Sequence, residues 1–471
     1  VHGSRGLGDV YKRQVLISMC DVSGPDTGSI VSLNAIGKQD TYLIDKDPYK
    51  SFFKYDLKQH SNFRKFHRNT RVSKPNDDNS SWPFNNSIKV KFKPRNMGDL
   101  LSNMYVSIKM PRVSSGHHTY ADQLGRHLFK SVTMRVDEII VEKFNMDWGI
   151  IYDELYLDES EKRTKRYTLN RNVAEDASTA SQGTIDLGQY DSELFIPIPF
   201  FFSRKYENDE YETNKPNRPY FPLCAIHKQE IEFEFEFQPQ SFFTDEPSNL
   251  TVNEFDIITE EITIEPSERT YIKNKKYTFI TDIVKKHPSL EITPDMNEAN
   301  IDLVPSIPVK TINWFLRNTD FENENVSRES SQTNTTPDAE YYYQNRFNFS
   351  SSMTSTIQNE FYNPPMSSAK LYVNGEDLPG LQDSDHKYYK YIVPFTSRLS
   401  RPFRNIYTYT FSMNPVNVES SGSLDFTYLR SNRTKLNIKM KEGLTKTYTL
   451  HIYYVGYQTF TFENGFMNYA Y

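Results

Sequence analysis

Hydrophobic and charged residues alternate along most of this chain with the period of two that is typical of half-buried β-strands. In Ile231–Phe237, for example, one isoleucine and three phenylalanines alternate with three glutamates. Such a pattern places the two kinds of side chain on opposite faces of a sheet. The segments that alternate in this way, or that are rich in β-branched and aromatic residues, are Ile88–Phe92, Met104–Met110, Val132–Val136, Ile231–Phe237, Glu261–Ile264, Leu371–Val373, Tyr407–Phe411, Leu436–Met440 and Tyr448–Val455.

A clear helical period occurs only in Met146–Leu157. There Trp148, Ile151 and Leu155 recur at a spacing of three and four residues, which predicts one apolar helix face. Clusters of turn-forming residues, such as Asn374–Asp377, separate the predicted strands. The sequence therefore predicts an all-β protein with short helices in the connections.

The length of the chain, 471 residues, predicts two domains. A β-sandwich takes about 100–250 residues, so two sandwiches fit and one does not. Residues 238–249 have turn formers and no periodicity, and we place the boundary there. The predicted order is an N-terminal arm over 15–45, a first sandwich over 46–243 and a second sandwich over 244–471.

Residues 1–14, VHGSRGLGDVYKRQ, differ in style from everything that follows. They have the character of translated adaptor sequence, and we interpret them as a non-native segment. On this interpretation the native chain starts at Met19. A disordered native tail is the alternative.

A weak internal repeat supports the two-sandwich interpretation. Ser131–Asp137 is similar to Ser368–Asn374, and Ile198–Arg204 is similar to Val393–Arg398. Both pairs occur in the same order with different spacing, as loop insertions after a tandem duplication would produce.

Composition and charge exclude several classes of protein. The net charge of −6 argues against a chain whose whole surface binds nucleic acid. No apolar run approaches the roughly 20 residues that a membrane-spanning helix needs. Two cysteines, Cys20 and Cys224, are too few for a disulfide framework and fit a reducing compartment.

The sequence contains none of the catalytic or nucleotide-binding motifs that we sought, and no spacing of cysteines and histidines that indicates zinc. Paired carboxylates are one route to a β-sandwich glycosidase. However, the glutamates of Ile231–Phe237 are most simply a solvated sheet face, and the pairs Glu260-Glu261 and Asp153-Glu154 have no partner that the sequence identifies. We therefore predict no enzymatic site, no metal and no cofactor.

One local charge asymmetry stands out against the acidic whole. Between residues 46 and 74 the chain has nine basic residues and only two acidic ones, with aromatic residues interleaved. Three interpretations remain open: contact with anionic lipid or nucleic acid, docking onto an acidic partner surface, or a solvated strand face. The nine candidate contact residues are Lys46, Lys50, Lys54, Lys58, Arg64, Lys65, Arg68, Arg71 and Lys74.

Specific motifs near the start of the chain resemble a known protein family. Ser32–Leu43, followed by Ser51–Lys54 and His60–Phe63, resembles the opening of the double jelly-roll major capsid proteins of nucleocytoplasmic large DNA viruses, polinton-like viruses and virophages. The resemblance continues in order to about residue 455, although Ser420 stands where the family usually has proline. The further motifs are Arg95–Leu100, Leu124–Val132, Asp147-Trp148, Leu194–Phe202, Phe221–Ala225, Phe411–Pro415 and Ser420–Phe426.

This resemblance implies two tandem eight-stranded jelly-roll sandwiches and a structural, non-catalytic function. Three chains would form a homotrimer of pseudo-hexagonal outline that contacts neighbouring capsomers, penton proteins and minor capsid proteins in an icosahedral virion shell. The shell would be assembled inside the infected host cell. Thr319–Ala339, a polar stretch without periodicity, would form an outer tower. The N-terminal region would face the interior, where the basic residues would meet an internal membrane, minor capsid proteins or packaged DNA.

Two alternatives share the predicted fold. A scaffold protein forms a temporary lattice on an immature virion and is absent from mature particles. A tandem jelly-roll protein of the carbohydrate-binding class would instead bind sugars.

Overall fold

The computed structural model divides into two compact units, Val1–His60 and Ser61–Tyr471. The residues that it describes are 31, 35–45, 47, 49, 53, 59–75, 81–111, 120–121, 123–169, 192–206, 219–244, 248–322, 346–352, 357–378, 384–417, 419–429 and 433–470. The predicted non-native segment 1–14 lies outside them. In the first unit a 3-10 turn, Asp40–Tyr42, is stabilised by the Gly37 N–H, which donates to Asp40 Oδ2 at 2.9 Å.

The described strands include every strand that the alternation predicted. They are β1 (Phe63–Ser73), β2 (Ser87–Phe92), β3 (Leu100–Met110), β4 (Phe129–Val136), β5 (Ile139–Phe144), β6 (Ser192–Pro197), β7 (Ile231–Phe237), β8 (Glu254–Ile264), β9 (Tyr277–Lys286), β10 (Leu290–Ile292), β11 (Glu298–Asp302), β12 (Pro308–Asn318), β13 (Met366–Val373), β14 (Glu376–Leu378), β15 (Ile406–Thr410), β16 (Leu424–Asp425), β17 (Lys435–Met440), β18 (Tyr448–Glu463) and β19 (Phe466–Tyr469).

The helices lie in the connections between strands, as predicted. They are α1 (Leu124–His127), α2 (Met146–Leu155), α3 (Glu159–Leu169), α4 (Pro266–Asn274), α5 (Ile357–Tyr362) and α6 (Val393–Thr396), with a π-helical turn at Tyr388–Ile392 and 3-10 turns at Pro94–Asn96, Leu223–Ile226, Gln240–Phe242, Thr319–Phe321 and Phe426–Tyr428. None of the described helices is long and apolar enough to span a lipid bilayer.

The first sandwich consists of two four-stranded antiparallel sheets, β1-β8-β3-β6 and β2-β7-β4-β5. Strand β7 shows why the sheets pack together, because its isoleucine and phenylalanines are buried while its glutamates are half-buried on the other face. Phe237 of β7 packs against Phe255 of β8 in the opposite sheet, with ring centroids 5.5 Å apart. Aromatic side chains thus fill the space between the sheets.

Strand β8 corrects the predicted domain boundary. It begins at Glu254, ten residues beyond the predicted start of the second sandwich, yet it lies between β1 and β3 in a sheet of the first sandwich. The first sandwich therefore includes Ile264, and the boundary predicted between residues 243 and 244 is too early. The turn residues of 238–249 mark a loop within the sandwich, because turn chemistry does not reveal which sheet the next strand joins.

The second sandwich packs a large sheet around β12 and β18 against the four-stranded sheet β11-β17-β13-β14. Trp314 of β12 is at the centre of its core, with its ring centroid 5.1 Å from that of Tyr389 and 6.0 Å from that of Tyr407. Strand β18 is longer than the others, and its far end packs with the first sandwich through the buried side chains of Phe460 and Phe462.

The structure supports one of the two similarities that make up the predicted internal repeat. Ser131–Asp137 covers most of β4 and Ser368–Asn374 covers most of β13, and each strand is third in its four-stranded sheet. Asp137 and Asn374 both begin the next turn with a positive φ, 48° and 54°. The second part is wrong: Ile198 follows β6, whereas Val393 begins helix α6 ahead of β15.

Candidate functional site at the basic edge strand

The nine predicted basic residues fall into two groups. Lys46, Lys50, Lys54 and Lys58 lie outside the described residues. Four of the others lie on β1, an edge strand of its sheet among the described strands, and Lys74 follows immediately.

Strand β8 brings a series of carboxylates alongside the basic strand. The two strands run antiparallel, so that Arg71 lies opposite Asp256 and His67 lies opposite Glu260. Lys65 Nζ is 2.9 Å from Glu260 Oε2, and Arg71 Nε is 3.2 Å from Asp256 Oδ1. Much of the positive charge of β1 is therefore balanced by acidic residues of the same chain.

The most buried of these pairs is Arg68 with Glu261. The Arg68 guanidinium donates to both carboxylate oxygens, at 2.8 Å to Oε1 and 3.3 Å to Oε2, and the Glu261 side chain is fully buried. The Gly98 N–H and the Thr259 hydroxyl also donate to this carboxylate, at 2.5 Å and 2.9 Å. A β-carbon at Gly98 would lie 2.9 Å from the Glu261 β-carbon, which explains the need for glycine there.

The neighbouring carboxylate, Glu260, is also held in its ionised form. Its partial burial acts to raise its pKa, but hydrogen bonds from Ser102 and Lys65 outweigh this effect and lower the pKa below the ordinary value. Asn103 Nδ2 donates to the same carboxylate at 3.0 Å.

Contacts of the motif Arg95–Leu100 join two strands of this sheet. Asp99 Oδ2 accepts hydrogen bonds from the Ile264 N–H at 3.0 Å and from Arg269 Nη2 of helix α4 at 2.8 Å. Together with Gly98, it fastens the start of β3 to the end of β8. The motif therefore helps to fix the acidic strand in the register that meets the basic strand.

Arg64 differs from its neighbours on β1. Its side chain is exposed and has no ion pair or hydrogen bond with any residue that the structure describes. The sequence did not reveal that Lys65, Arg68 and Arg71 are paired while Arg64 is not. A signal was present, since the stretch from Glu254 to Glu261 carries four carboxylates, but alternation alone does not show that this stretch pairs with β1.

A second group of buried charges lies where the two sandwiches meet. The apolar-face prediction for helix α2 was incomplete, because all ten of its residues are buried, including Asp147, Asp153 and Glu154. Asp147 Oδ1 accepts from Arg317 Nη2 of β12 at 2.6 Å, and Glu154 Oε1 accepts from Arg404 Nη1 at 3.1 Å. These two ion pairs join a helix of the first half to the second half.

The junction keeps its carboxylates ionised. Burial acts to raise the pKa of Asp147, but Arg317 and Arg346 outweigh it and hold the pKa well below the ordinary value. Burial acts in the same direction on Glu322, and there Arg317 and a hydrogen bond from His451 lower the pKa to about 2. Charge pairing across the junction is therefore maintained at neutral pH.

His127, in the motif Leu124–Val132, lies in the same junction. Its ring packs against Phe347 of the second half, with centroids 4.3 Å apart, and burial lowers its pKa to about 3. Arg126 beside it donates to both oxygens of Asp153, at 2.9 Å and 3.1 Å. The motif thus supplies one buried side chain that holds helix α2, Arg126, and one that packs on the second half, His127.

Two family models together match almost the whole of the second compact unit, Ser61–Tyr471. A model described as "Major capsid protein N-terminus" matches residues 51–275, and one described as "Large eukaryotic DNA virus major capsid protein" matches residues 268–468. The chain belongs to this capsid protein family. Major capsid proteins form the shell of the virion, so the chain is a structural protein of a large double-stranded DNA virus and not an enzyme.

Relatives of this capsid protein agree with that assignment. The major capsid protein of Paramecium bursaria Chlorella virus 1 is 21% identical over 431 residues, which cover 88% of this chain and 87% of the relative. The crystal structure of PBCV-1 VP54, fitted into a reconstruction of the virophage Sputnik, matches with a TM-score of 0.67 and 19% identity over 89% of this chain and 100% of that one. The Faustovirus major capsid protein matches with a TM-score of 0.58 and 10% identity over 89% and 96% of the two chains.

Two late motifs of the capsid protein are in contact with each other. The Ser421 hydroxyl donates to the Asn414 carbonyl at 2.8 Å and accepts from the Asn414 N–H at 3.1 Å. Gly422 has a φ of +130°, and a β-carbon there would lie 3.0 Å from the Phe411 carbonyl oxygen. The motifs Phe411–Pro415 and Ser420–Phe426 thus form one loop, and Ser421 keeps its role although proline does not precede it.

We predict that Arg68→Ala destabilises the protein more than Arg71→Ala. The first change leaves the buried Glu261 carboxylate without its cation, which costs about 1–3 kcal/mol in the free energy of unfolding. The second removes only exposed ion pairs, with Glu254 and Asp256, which solvent screens and which contribute little to stability. Chemical denaturation of the two variants measures the difference, and equal losses would contradict the importance of burial at Glu261.

We predict that His127 makes the free energy of unfolding fall in acid. Above pH 6.5 the residue is neutral in both the folded and the unfolded chain, and its contribution is complete. Below pH 6.5 the unfolded chain takes up a proton that the folded chain refuses until about pH 3, so stability falls by about 1.4 kcal/mol per pH unit. In His127→Leu the loss of stability between pH 7.5 and pH 5 should shrink by about 2 kcal/mol. An unchanged pH dependence in denaturation experiments would refute this assignment.

Proposed function

We propose that three copies of this capsid protein form a capsomer of pseudo-hexagonal outline that tiles an icosahedral shell. The observation that carries the proposal is the equal strand order of two sheets, β2-β7-β4-β5 in one sandwich and β11-β17-β13-β14 in the other. A chain with two similar sandwiches offers two similar lateral faces. Closure of three chains around a three-fold axis then presents six such faces, and heterologous contacts between them extend the lattice.

A tile of this kind needs a fixed angle between its two sandwiches. The ion pairs of Asp147 with Arg317 and of Glu154 with Arg404 support such rigidity, because each is buried and directional. The Tyr453 hydroxyl of β18 adds a hydrogen bond to Asn145 Oδ1 at 2.7 Å. These contacts thus keep the angle between the two sandwiches fixed when neighbouring capsomers contact either of them.

The proposed partners of the trimer are neighbouring capsomers, penton proteins and minor capsid proteins. The polar stretch Thr319–Ala339, of which the residues after Glu322 lie outside the described part, is proposed to form an outer tower. Its first residues form a 3-10 turn at the end of β12, where Asn318 Oδ1 accepts the Asp320 N–H at 3.0 Å.

Arg64 is the residue of β1 on which we base a contact inside the shell. Lys65, Arg68 and Arg71 already bind carboxylates of β8, so Arg64 is the residue of this strand that is left to meet an acidic surface. An internal membrane, a minor capsid protein and packaged DNA all offer such a surface.

We predict that the purified chain is a trimer. Size-exclusion chromatography with light scattering should give a mass three times the 55.2 kDa of one chain, and negative-stain images should show particles of hexagonal outline. A stable monomer of 55.2 kDa at micromolar concentration would contradict the proposal.

We predict that Arg64→Glu leaves the trimer and its thermal midpoint unchanged and lowers the yield of assembled particles. The side chain is exposed and unpaired among the described residues, so its reversal changes only the surface that it offers to a partner. Arg64→Lys keeps the charge and is the matched control. Normal particle yield from Arg64→Glu would refute the contact, and binding of the trimer to anionic vesicles or to duplex DNA distinguishes the partners.

A further inference from the structure

Three lysines are buried among the residues that the structure describes, and one of them has unusual partners. Lys165 is paired with Asp153, and Lys310 Nζ lies 2.8 Å from Asp282 Oδ2. Lys390 instead donates to two neutral oxygens, the Glu360 carbonyl at 3.0 Å and Asn405 Oδ1 at 2.7 Å. Its buried ammonium group therefore contacts no carboxylate of the described residues.

Glu360 is a buried acid that, among the described residues, receives no hydrogen bond from a basic side chain. Its side chain is 0% exposed, and within the part of the chain that the structure describes it accepts hydrogen bonds only from the backbone N–H groups of Phe349 and Asn405, both at 3.0 Å. Burial raises the pKa of Glu360 to about 7 and lowers that of Lys390 to about 8. Near neutral pH a fraction of Lys390 is therefore the neutral amine, and a fraction of Glu360 is the neutral acid.

Asn405 contacts both groups, since its Oδ1 accepts from Lys390 and its backbone N–H donates to the Glu360 carboxylate. It is 1% exposed, Lys390 is 2% exposed, and Asn405 Nδ2 donates to the Phe349 carbonyl at 3.2 Å. A C=O bond is about 1.23 Å long, so Lys390 Nζ is at most about 4 Å from the amide carbon Cγ. Near-attack geometry needs about 3–3.5 Å, which a small rotation of the lysine side chain provides.

We propose that Lys390 and Asn405 join in an intramolecular isopeptide bond. The lone pair of the neutral Nζ attacks Cγ of Asn405, the Cγ–Nδ2 bond breaks, and the departing nitrogen leaves as ammonia. Nζ loses one proton and Nδ2 gains one, so the reaction needs neither an oxidant nor an activated co-reactant. Glu360, whose carboxyl group accepts the Asn405 backbone N–H at 3.0 Å, is the acid that we assign to relay the proton from Nζ to the leaving nitrogen.

The other buried lysines lack this combination. Arg126 and Lys165 outweigh the effect of burial and lower the pKa of Asp153, which keeps that side chain an ionised carboxylate. A carboxylate resists attack by an amine, whereas a neutral amide with a proton donor beside it does not. The arrangement around Lys390 is therefore specific among the described buried lysines.

The bond would close the loop from the π-helical turn at Tyr388–Ile392 to the start of β15. Arg404, which pairs with Glu154 of helix α2, is the neighbour of Asn405. A covalent link at Asn405 therefore holds the second half in the position that the junction requires, and it does so without cysteine.

Mass spectrometry of the purified full-length chain tests this proposal. Loss of ammonia makes the intact mass about 17 Da lower than the sequence mass. Proteolysis should release a branched peptide that contains both Lys390 and Asn405, which a succinimide at asparagine does not produce. Peptides that contain Lys310 should be linear and serve as the internal control.

Three variants separate the reaction from a packing role. Asn405→Asp places a carboxylate beside Lys390, and because a carboxylate resists attack by an amine, the folded variant should stay unlinked. Glu360→Gln should form the link at least tenfold more slowly, and Lys390→Arg should not form it. Linear peptides with unmodified Lys390 and Asn405 from the folded wild-type protein would overturn the proposal.

Discussion

The relative position of the two sandwiches depends on the buried carboxylates of helix α2. A fully buried helix with three acidic residues is unstable unless a cation reaches each of them. Arg126 supplies one from the first half, whereas Arg317 and Arg404 come from the second half. Because the cations of two of the three carboxylates lie on the other sandwich, the helix is satisfied only when both halves are in place. Two further contacts join the same two halves. Trp148 of helix α2 packs against Tyr453 of β18, and the far end of β18 packs with the core of the first sandwich.

On strand β1, at the surface, charged side chains are likewise paired with opposite charges from a distant part of the chain. An isolated basic edge strand repels itself and invites pairing with other chains. Here β8 provides carboxylates along its length, and Glu261 in particular is enclosed by Arg68, Gly98 and Thr259. Three of the four basic residues of β1 are thus engaged in sheet pairing. Arg64 is the basic residue of this strand that stays available for other molecules.

The sequence predicted local structure well and long-range pairing poorly. Alternation in Ile231–Phe237 identifies β7 because burial of one sheet face is a local property. It does not show that β8 joins the first sandwich, since strand order depends on contacts across nearly 200 residues. The partners of Asp153 and Glu154 were missed for the same reason. The resemblance to capsid proteins supplied the missing topology, and its motifs prove to be the places, such as Gly98 and Arg126, where distant strands and helices are fastened.

The buried ionisable groups of the junction determine how its stability changes with pH. Asp147 and Glu322 are ionised far below neutral pH, so their ion pairs survive mild acid. Burial is the chief cause that lowers the pKa of His127 and of His451. When the pH falls below 6.5, an opened junction gains a proton on His127 that the closed junction refuses until about pH 3. Arg317 and Arg346 add to this effect, because their charges lower the pKa of His127 further. Acid therefore weakens the contact between the sandwiches through His127 before it removes the charges of Asp147 and Glu322.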